Sequence, residues 1–243
     1  MDRAGREDAV VQTIIMMIPI VLTATVVPNI EKARGPDWKV RRNQYLEAIA
    51  FYKEFSKVYF IENSCYDLAS DPAFTSDAKC SILKFPVSES PERGKGYQEF
   101  EMLDRFVRDR LTEGCFVKVT GRHIYANFAQ LFSFLQADGY KYDVVIDRLV
   151  RMRIALTGLF CVDKQVYLRQ FQNSYLEMHD QGNVWAEHVI YALLKRHKGV
   201  AFFPTTPLLQ SDRSPRASDT LKLTVKNLER RVFSALNVRQ LFR

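Results

Sequence analysis

No Asp-x-Asp pair occurs anywhere in the 243 residues, so a short carboxylate pair able to hold a divalent metal on a diphosphate is missing. Glu99-x-Glu101 is the nearest substitute, but residues two apart on a helix point to different faces, and it is rejected as a metal site. A divalent metal stays open as a cofactor without any motif to hold it. Also absent are the P-loop lysine motif, G-x-S-x-G, His-Glu-x-x-His and G-x-G-x-x-G. Glycine and proline are few, at 10 and 9, which excludes wholesale disorder. The four cysteines, Cys65, Cys80, Cys115 and Cys161, have neither metal-ligand spacing nor a nearby histidine. A reducing compartment is the simpler inference, with Cys115 and Cys161 as small core hydrophobes.

Long uninterrupted apolar runs are lacking too. The stretch 10–27 is broken by Gln12, Thr13, Pro19, Thr23 and Thr25, which favours a buried first strand over a spanning helix. The mixed charges of residues 1–8 make a poor signal-peptide start. The net charge of +7 suits nucleic acid, an anionic membrane surface or phosphorylated small molecules. No Lys/Arg run dominates the body and no RNA-binding aromatic signature is present, so nucleic acid is not expected as a partner.

What is present is a chain 47% hydrophobic with 17 Phe and 11 Tyr, enough for one sizeable core. Strands are expected over 18–27, 57–61, 81–85, 115–119, 144–147, 155–162 and 200–203, and helices over 41–55, 97–111, 124–135, 163–177 and 184–196. The alternation predicts an α/β domain with a mostly parallel sheet flanked by helices. Ligands in such sheets bind beyond the carboxyl ends of the strands, which would gather Asn29, Glu62, Asn63, Lys118 and Arg122 at one rim. The chain divides into an N-terminal extension at 1–17, a domain over 18–209, and a basic tail at 210–243. In that tail Leu221, Val225, Leu228 and Val232 form one stripe beside Lys222, Lys226 and Arg230. Such an amphipathic helix suits an anionic membrane and equally a helix packed on the domain.

Four groups of residues carry candidate chemistry. Gly94-Lys95-Gly96-Tyr97 offers a turn, a cation and free N–H groups at a helix start, where anions are favoured; the alternative is an ordinary loop-to-helix junction. Lys118, Thr120, Gly121 and Arg122 end a strand, and Arg122 suits bidentate pairing with phosphate oxygens unless it is a plain surface arginine. Glu62 and Asn63 end the second strand, where Glu62 either accepts from a ribose or base or faces solvent. Glu187 and His188 interrupt an apolar helix, surroundings that suit a carboxylate to general-base work; a core-edge pair is the other reading. Asp147, with Arg148, is either an acceptor-site residue or half of an internal ion pair.

Several pieces fall in one order: Val26-Val27-Pro28-Asn29, Arg42-x-x-Tyr45-Leu46, Phe60-Ile61-Glu62-Asn63-Ser64, Gly94-Lys95-Gly96-Tyr97-x-Glu99, Phe116-Val117-Lys118-Val119-Thr120-Gly121-Arg122, Leu159-Phe160-Cys161-Val162-Asp163-Lys164 and Trp185-x-Glu187-His188. This set resembles bacterial glycosyltransferases of capsule, O-antigen and lipopolysaccharide assembly, over roughly residues 18–205. The resemblance implies a GT-A-like fold and transfer of a sugar from a nucleotide-sugar donor to a saccharide or lipid-linked acceptor. It places Glu62 and Asn63 near the nucleoside, with Asn29 as a further donor-binding candidate. Lys95, Thr120, Gly121 and Arg122 line the donor diphosphate, Gly96 and Lys118 also bind the donor, and Glu187 is the acceptor-side acid or base, with Arg122 neutralising the leaving group. His123 stands where an aromatic is more usual. With the basic tail, the resemblance implies a cytoplasmic protein peripheral to the inner face of the membrane. A non-catalytic binding or scaffold protein of the same pathway is the alternative, followed by a nucleic-acid-binding protein.

Overall fold

The computed structural model describes residues 17–28, 37–195 and 197–210. Asn29 and the expected helix of the basic tail lie outside the described residues.

The chain alternates as expected through its first half. Strand β1 (Ile20–Ala24) is followed by α1 (Trp38–Tyr52), β2 (Val58–Glu62), β3 (Cys80–Lys84), α2 (Lys95–Asp109) and β4 (Cys115–Thr120). Next come α3 (Phe128–Asp138), β5 (Val144–Leu149), β6 (Ile154–Asp163), a short helix α4 (Lys164–Val166), α5 (Ala186–Leu194) and β7 (Val200–Ala201). The seven strands form one sheet in the order β3-β2-β1-β4-β6-β5-β7, in which only β6 runs antiparallel to its neighbours.

The central strands β1 and β2 are buried at every position, as a parallel sheet covered on both faces requires. Alternation divides their side chains. Ile20, Leu22 and Ala24 pack with α1 and α3, while Val21 packs with α2 and α5. Helix α1 presents Arg41, Tyr45, Ala48, Ile49 and Tyr52 inward, at helical spacing. Helix α2 buries Tyr97, Phe100, Leu103, Phe106 and Val107. Cys115 and Cys161 are buried on adjacent strands, as expected of core residues.

The expected helix at 163–177 is not continuous. It breaks into α4, a π turn (Tyr167–Phe171) and a 3₁₀ turn (Ser174–Glu177). Asp104 on α2 explains the break: it accepts from the Tyr167 hydroxyl at 2.5 Å and from the Asn173 backbone N–H at 2.6 Å. Asn173 is thereby held in the left-handed region at φ 65°, which ends helical propagation.

From β1 the chain moves outward through β2 to β3, then returns so that β4 lies on the other side of β1. The carboxyl ends of β1 and β4 therefore flank a topological switch point, where open α/β sheets leave a crevice.

Candidate functional site

The crevice at that switch point consists of two adjoining hollows. The first, of about 150 Å³, is lined by Thr23, Thr25, Arg41, Tyr45, Thr120 and Arg122, among others. The second, of about 270 Å³, is lined by Thr157, Asp180, Trp185, Ala186 and Glu187, with Gly96 at its edge. Lys95 and Glu99 line both. They sit one turn apart on α2, which makes the first turn of that helix the wall between the hollows.

The floor is a chain of polar contacts. Lys118 has an exposure of 0%, and its ammonium lies 2.6 Å from a Glu99 carboxylate oxygen. It also donates to Thr120 Oγ1 at 3.0 Å and to the Thr157 carbonyl at 2.8 Å. Glu99 accepts in addition from the hydroxyls of Thr23 and Thr120. Burial alone would raise its pKa, but the Lys118 ammonium and the two hydroxyls hold it below the usual carboxylate range. Thr157 reaches this point because β6 carries extra residues opposite Asp147: its register with β5 shifts between Ile146 and Arg148. Bulges commonly re-aim groups in this way beside functional clefts. The Thr157 hydroxyl lies 3.4 Å from Glu187 Oε1, linking the floor to the second hollow.

Lys118 was expected to bind the donor. The structure spends its three donors internally, because alternation along β4 turns Phe116 and Lys118 toward α2, beneath Glu99. Lys118 is a support for Glu99. The two cations that do face the crevice are Lys95 and Arg122. Neither has an ion pair among the described residues, so their charge is available to an anionic ligand. Arg41 adds a third cation, its guanidinium held by the Val26 carbonyl at 3.2 Å, the Thr25 carbonyl at 2.5 Å and the Tyr45 hydroxyl at 3.3 Å. The Tyr45 hydroxyl in turn accepts from Thr25 N–H at 3.1 Å. These contacts fix the backbone where the chain leaves β1.

Glu62 and Asn63 do not open onto the crevice. Glu62 is 0% exposed. Its carboxylate accepts from the backbone N–H groups of Val26 (3.1 Å) and Ser64 (2.8 Å), the Ser64 hydroxyl, and the Lys84 ammonium at 2.5 Å. Asn63, equally buried, accepts from the Thr25 hydroxyl at 2.9 Å and donates to the Gln98 carbonyl at 3.0 Å. Both fasten the β1 exit to β2 and α2, a structural role in place of the expected nucleoside contact. Asp147 is also internal, 1% exposed at the β5 irregularity, and lines neither hollow. His188 stacks on the Trp185 indole, ring centroids 5.2 Å apart at 12°, while its neighbour Glu187 faces the second hollow.

The glycines have steric reasons of their own. A Cβ on Gly121 would sit 2.5 Å from the Thr23 carbonyl oxygen, since the backbones of the two strand exits are hydrogen-bonded there. Gly94 adopts φ 112°, and a Cβ would fall on the Asp180 carboxylate. That carboxylate accepts from the Lys95 N–H at 2.9 Å. The start of α2, expected to receive a phosphate, therefore already carries an anion of the protein.

Glu99, Thr157 and Asp180 were not among the candidates drawn from the sequence. Glu99 carried a signal: it lies four residues after Lys95, hence on the same helical face. Glu101, two residues on, pairs instead with Arg105 at 2.8 Å. The residues do not fit a divalent metal. The central carboxylate, Glu99, is already held by Lys118, and the described residues contain no cluster of three His, Cys, Asp or Glu side chains placed to hold one. Among the described residues no helix is long and apolar enough to cross a membrane.

No family model matches the chain, and no curated protein matches it. Among solved structures, the crystal structure of HddC from Yersinia pseudotuberculosis is similar over 62% of this chain and 78% of its own, at 11% identity and a TM-score of 0.39. A likeness at that level assigns no activity.

Proposed function

We propose that the protein is a glycosyltransferase with a GT-A-like domain, moving a sugar from a nucleotide donor to a saccharide or lipid-linked acceptor in cell-surface polysaccharide assembly. The observation that carries the reading is the charge division of the switch-point crevice. To the Lys95 and Glu99 that line both, one hollow adds Arg122 and Arg41 and the other adds Asp180 and Glu187. A reaction between an anionic donor and a hydroxyl-bearing acceptor needs that division.

In this reading the donor diphosphate lies against Lys95 and Arg122. The acceptor hydroxyl attacks the anomeric carbon, the bond to the diphosphate oxygen breaks, and its electron pair leaves with the diphosphate. Arg122 and Lys95 neutralise the charge that develops there. Glu187 takes the proton from the attacking hydroxyl. The Lys118–Glu99 pair fixes the wall between the two reactants, and no step is routed through a metal.

The test is a thermal-shift screen against UDP, GDP, CDP and CMP and their sugar conjugates, with and without EDTA, followed by a hydrolysis and transfer assay on the conjugate that binds. Stabilisation by one nucleotide that survives EDTA, and is lost in Arg122→Ala, supports the reading. Binding without any turnover would favour a non-catalytic sugar-nucleotide binder. No shift with any nucleotide would remove the donor site.

A further inference from the structure

The second hollow holds a side chain that the chemistry above does not use. Trp185 is 46% exposed although it immediately precedes the well-packed helix α5, and it lines the hollow with Asp180 and Glu187. A large aromatic left in water at a cleft costs burial energy that packing would otherwise supply. Its ring is held in place: the His188 imidazole, one turn further into the helix, stacks on it nearly parallel.

The wall opposite is held as firmly. Asp180 is fastened to the Lys95 N–H. Arg93 holds the preceding turn, donating to the carbonyls of Leu176 at 2.5 Å and Met178 at 3.2 Å. The hollow thus combines a rigid aromatic face with two acceptor-only carboxylates. Of the other two charges that line it, Glu99 is matched by Lys118 and Lys95 is a cation shared with the first hollow.

From this arrangement we infer that the second hollow is a pyranose subsite, with Trp185 as the stacking platform and Asp180 and Glu187 as hydroxyl acceptors, and that it takes neutral or amino sugars in preference to uronic acids. A pyranose has one face of C–H groups, which packs on an aromatic ring, and an edge of hydroxyl donors, which carboxylates accept. An ammonium in place of one hydroxyl improves the match to two carboxylates, whereas a sugar carboxylate meets like charge. The inference deepens the transferase reading by naming the class of acceptor, and rests on it only for the word acceptor.

The experiment uses intrinsic fluorescence. The chain has two tryptophans, so Trp38→Phe leaves Trp185 as the reporter. Methyl glycosides of a neutral hexose, a 2-amino hexose and a uronic acid are titrated without nucleotide, and nucleotide binding is followed separately by thermal shift. The expected result is saturable quenching by the neutral and amino glycosides, with the uronic acid at least about tenfold weaker. Asp180→Asn combined with Glu187→Gln should narrow that gap, and Trp185→Leu in the otherwise native chain should abolish sugar binding, read by ligand-observed NMR, while leaving the nucleotide shift unchanged. Absence of quenching by every glycoside, or equal binding of the uronic acid, overturns the subsite. If the nucleotide shift persists in that case, the transferase reading stands without it. Sugar binding with no nucleotide shift would uphold the subsite and sink the donor site instead.

Discussion

The Lys118 ammonium lies 2.6 Å from the Glu99 carboxylate beneath the crevice, with no part of the lysine reaching solvent. Neither charge is tolerable there without the other. Lys118→Met should therefore destabilise the fold by about 3 kcal/mol, the usual cost of stranding one member of a buried pair. Glu99→Gln combined with Lys118→Met should recover most of that loss, giving a coupling that denaturant titrations of the four proteins of the cycle would measure. Additive single effects would mean that the contact contributes little. Since the folded-state pKa of Glu99 is lowered, its stabilisation is complete above the ordinary glutamate range and is lost as pH falls through that lowered value.

Asp104 should behave in the opposite sense. Burial raises its pKa to about 6, against the opposing effect of the Tyr167 hydroxyl and Asn173 N–H that bond to it. A carboxyl that is harder to ionise when folded penalises the native state above its folded pKa. Stability should therefore rise, on the order of 2 kcal/mol, as pH falls from about 6 toward the ordinary aspartate range near 4. Asp104→Asn should flatten that part of the profile, as thermal melts across the interval would show. An unchanged slope in the variant would remove Asp104 as its source.

Arg122→Ala is expected to lower turnover by about 10²- to 10³-fold, the range seen when one group stabilising developing charge is removed. The melting temperature should stay within a degree or two of the parent, because Arg122 makes no ion pair among the described residues. Steady-state kinetics beside a melt separates the outcomes: loss of both activity and stability would make Arg122 structural.

Glu187→Gln preserves size and tests the proton transfer alone. Turnover should fall about 10²- to 10⁴-fold with nucleotide affinity unchanged. Retention of full turnover would leave another group to accept the proton.

Gly121→Ala should cost about 1–3 kcal/mol, because the added methyl meets the Thr23 backbone carbonyl, which has no flexible end to swing away. A neutral effect in urea unfolding would show that the two strand exits can separate.

The parallel half of the sheet was legible because its strands are short apolar runs bounded by turns, and α2 because Phe100, Leu103 and Val107 repeat at helical spacing. The reversal of β6 was not: a hairpin and a crossover leave the same apolar pattern in a strand. At the site, sequence identified residues at strand ends but not their direction. Arg122 faces the crevice and Lys118, four residues earlier, does not: Lys118 lies within β4 beneath Glu99, whereas Arg122 lies past the strand's end at Thr120. Glu62 and Asn63 stood at the expected rim, yet Val26, Ser64 and Lys84 occupy Glu62, and Thr25 and Gln98 occupy Asn63. Asp180 was illegible altogether, because it reaches Lys95 across 85 residues of chain.

The shared wall of α2 limits how this molecule can diversify. A change at Lys95 or Glu99 alters both hollows at once, so a gain at one side is exposed to a loss at the other. Arg41 and Tyr45 face only the first hollow, and Asp180 and Trp185 only the second. Asp180 holds the Lys95 N–H of the shared wall, and Arg41 and Tyr45 hold the β1 exit, which leaves Trp185 as the position where a library could retune one partner while leaving the other alone.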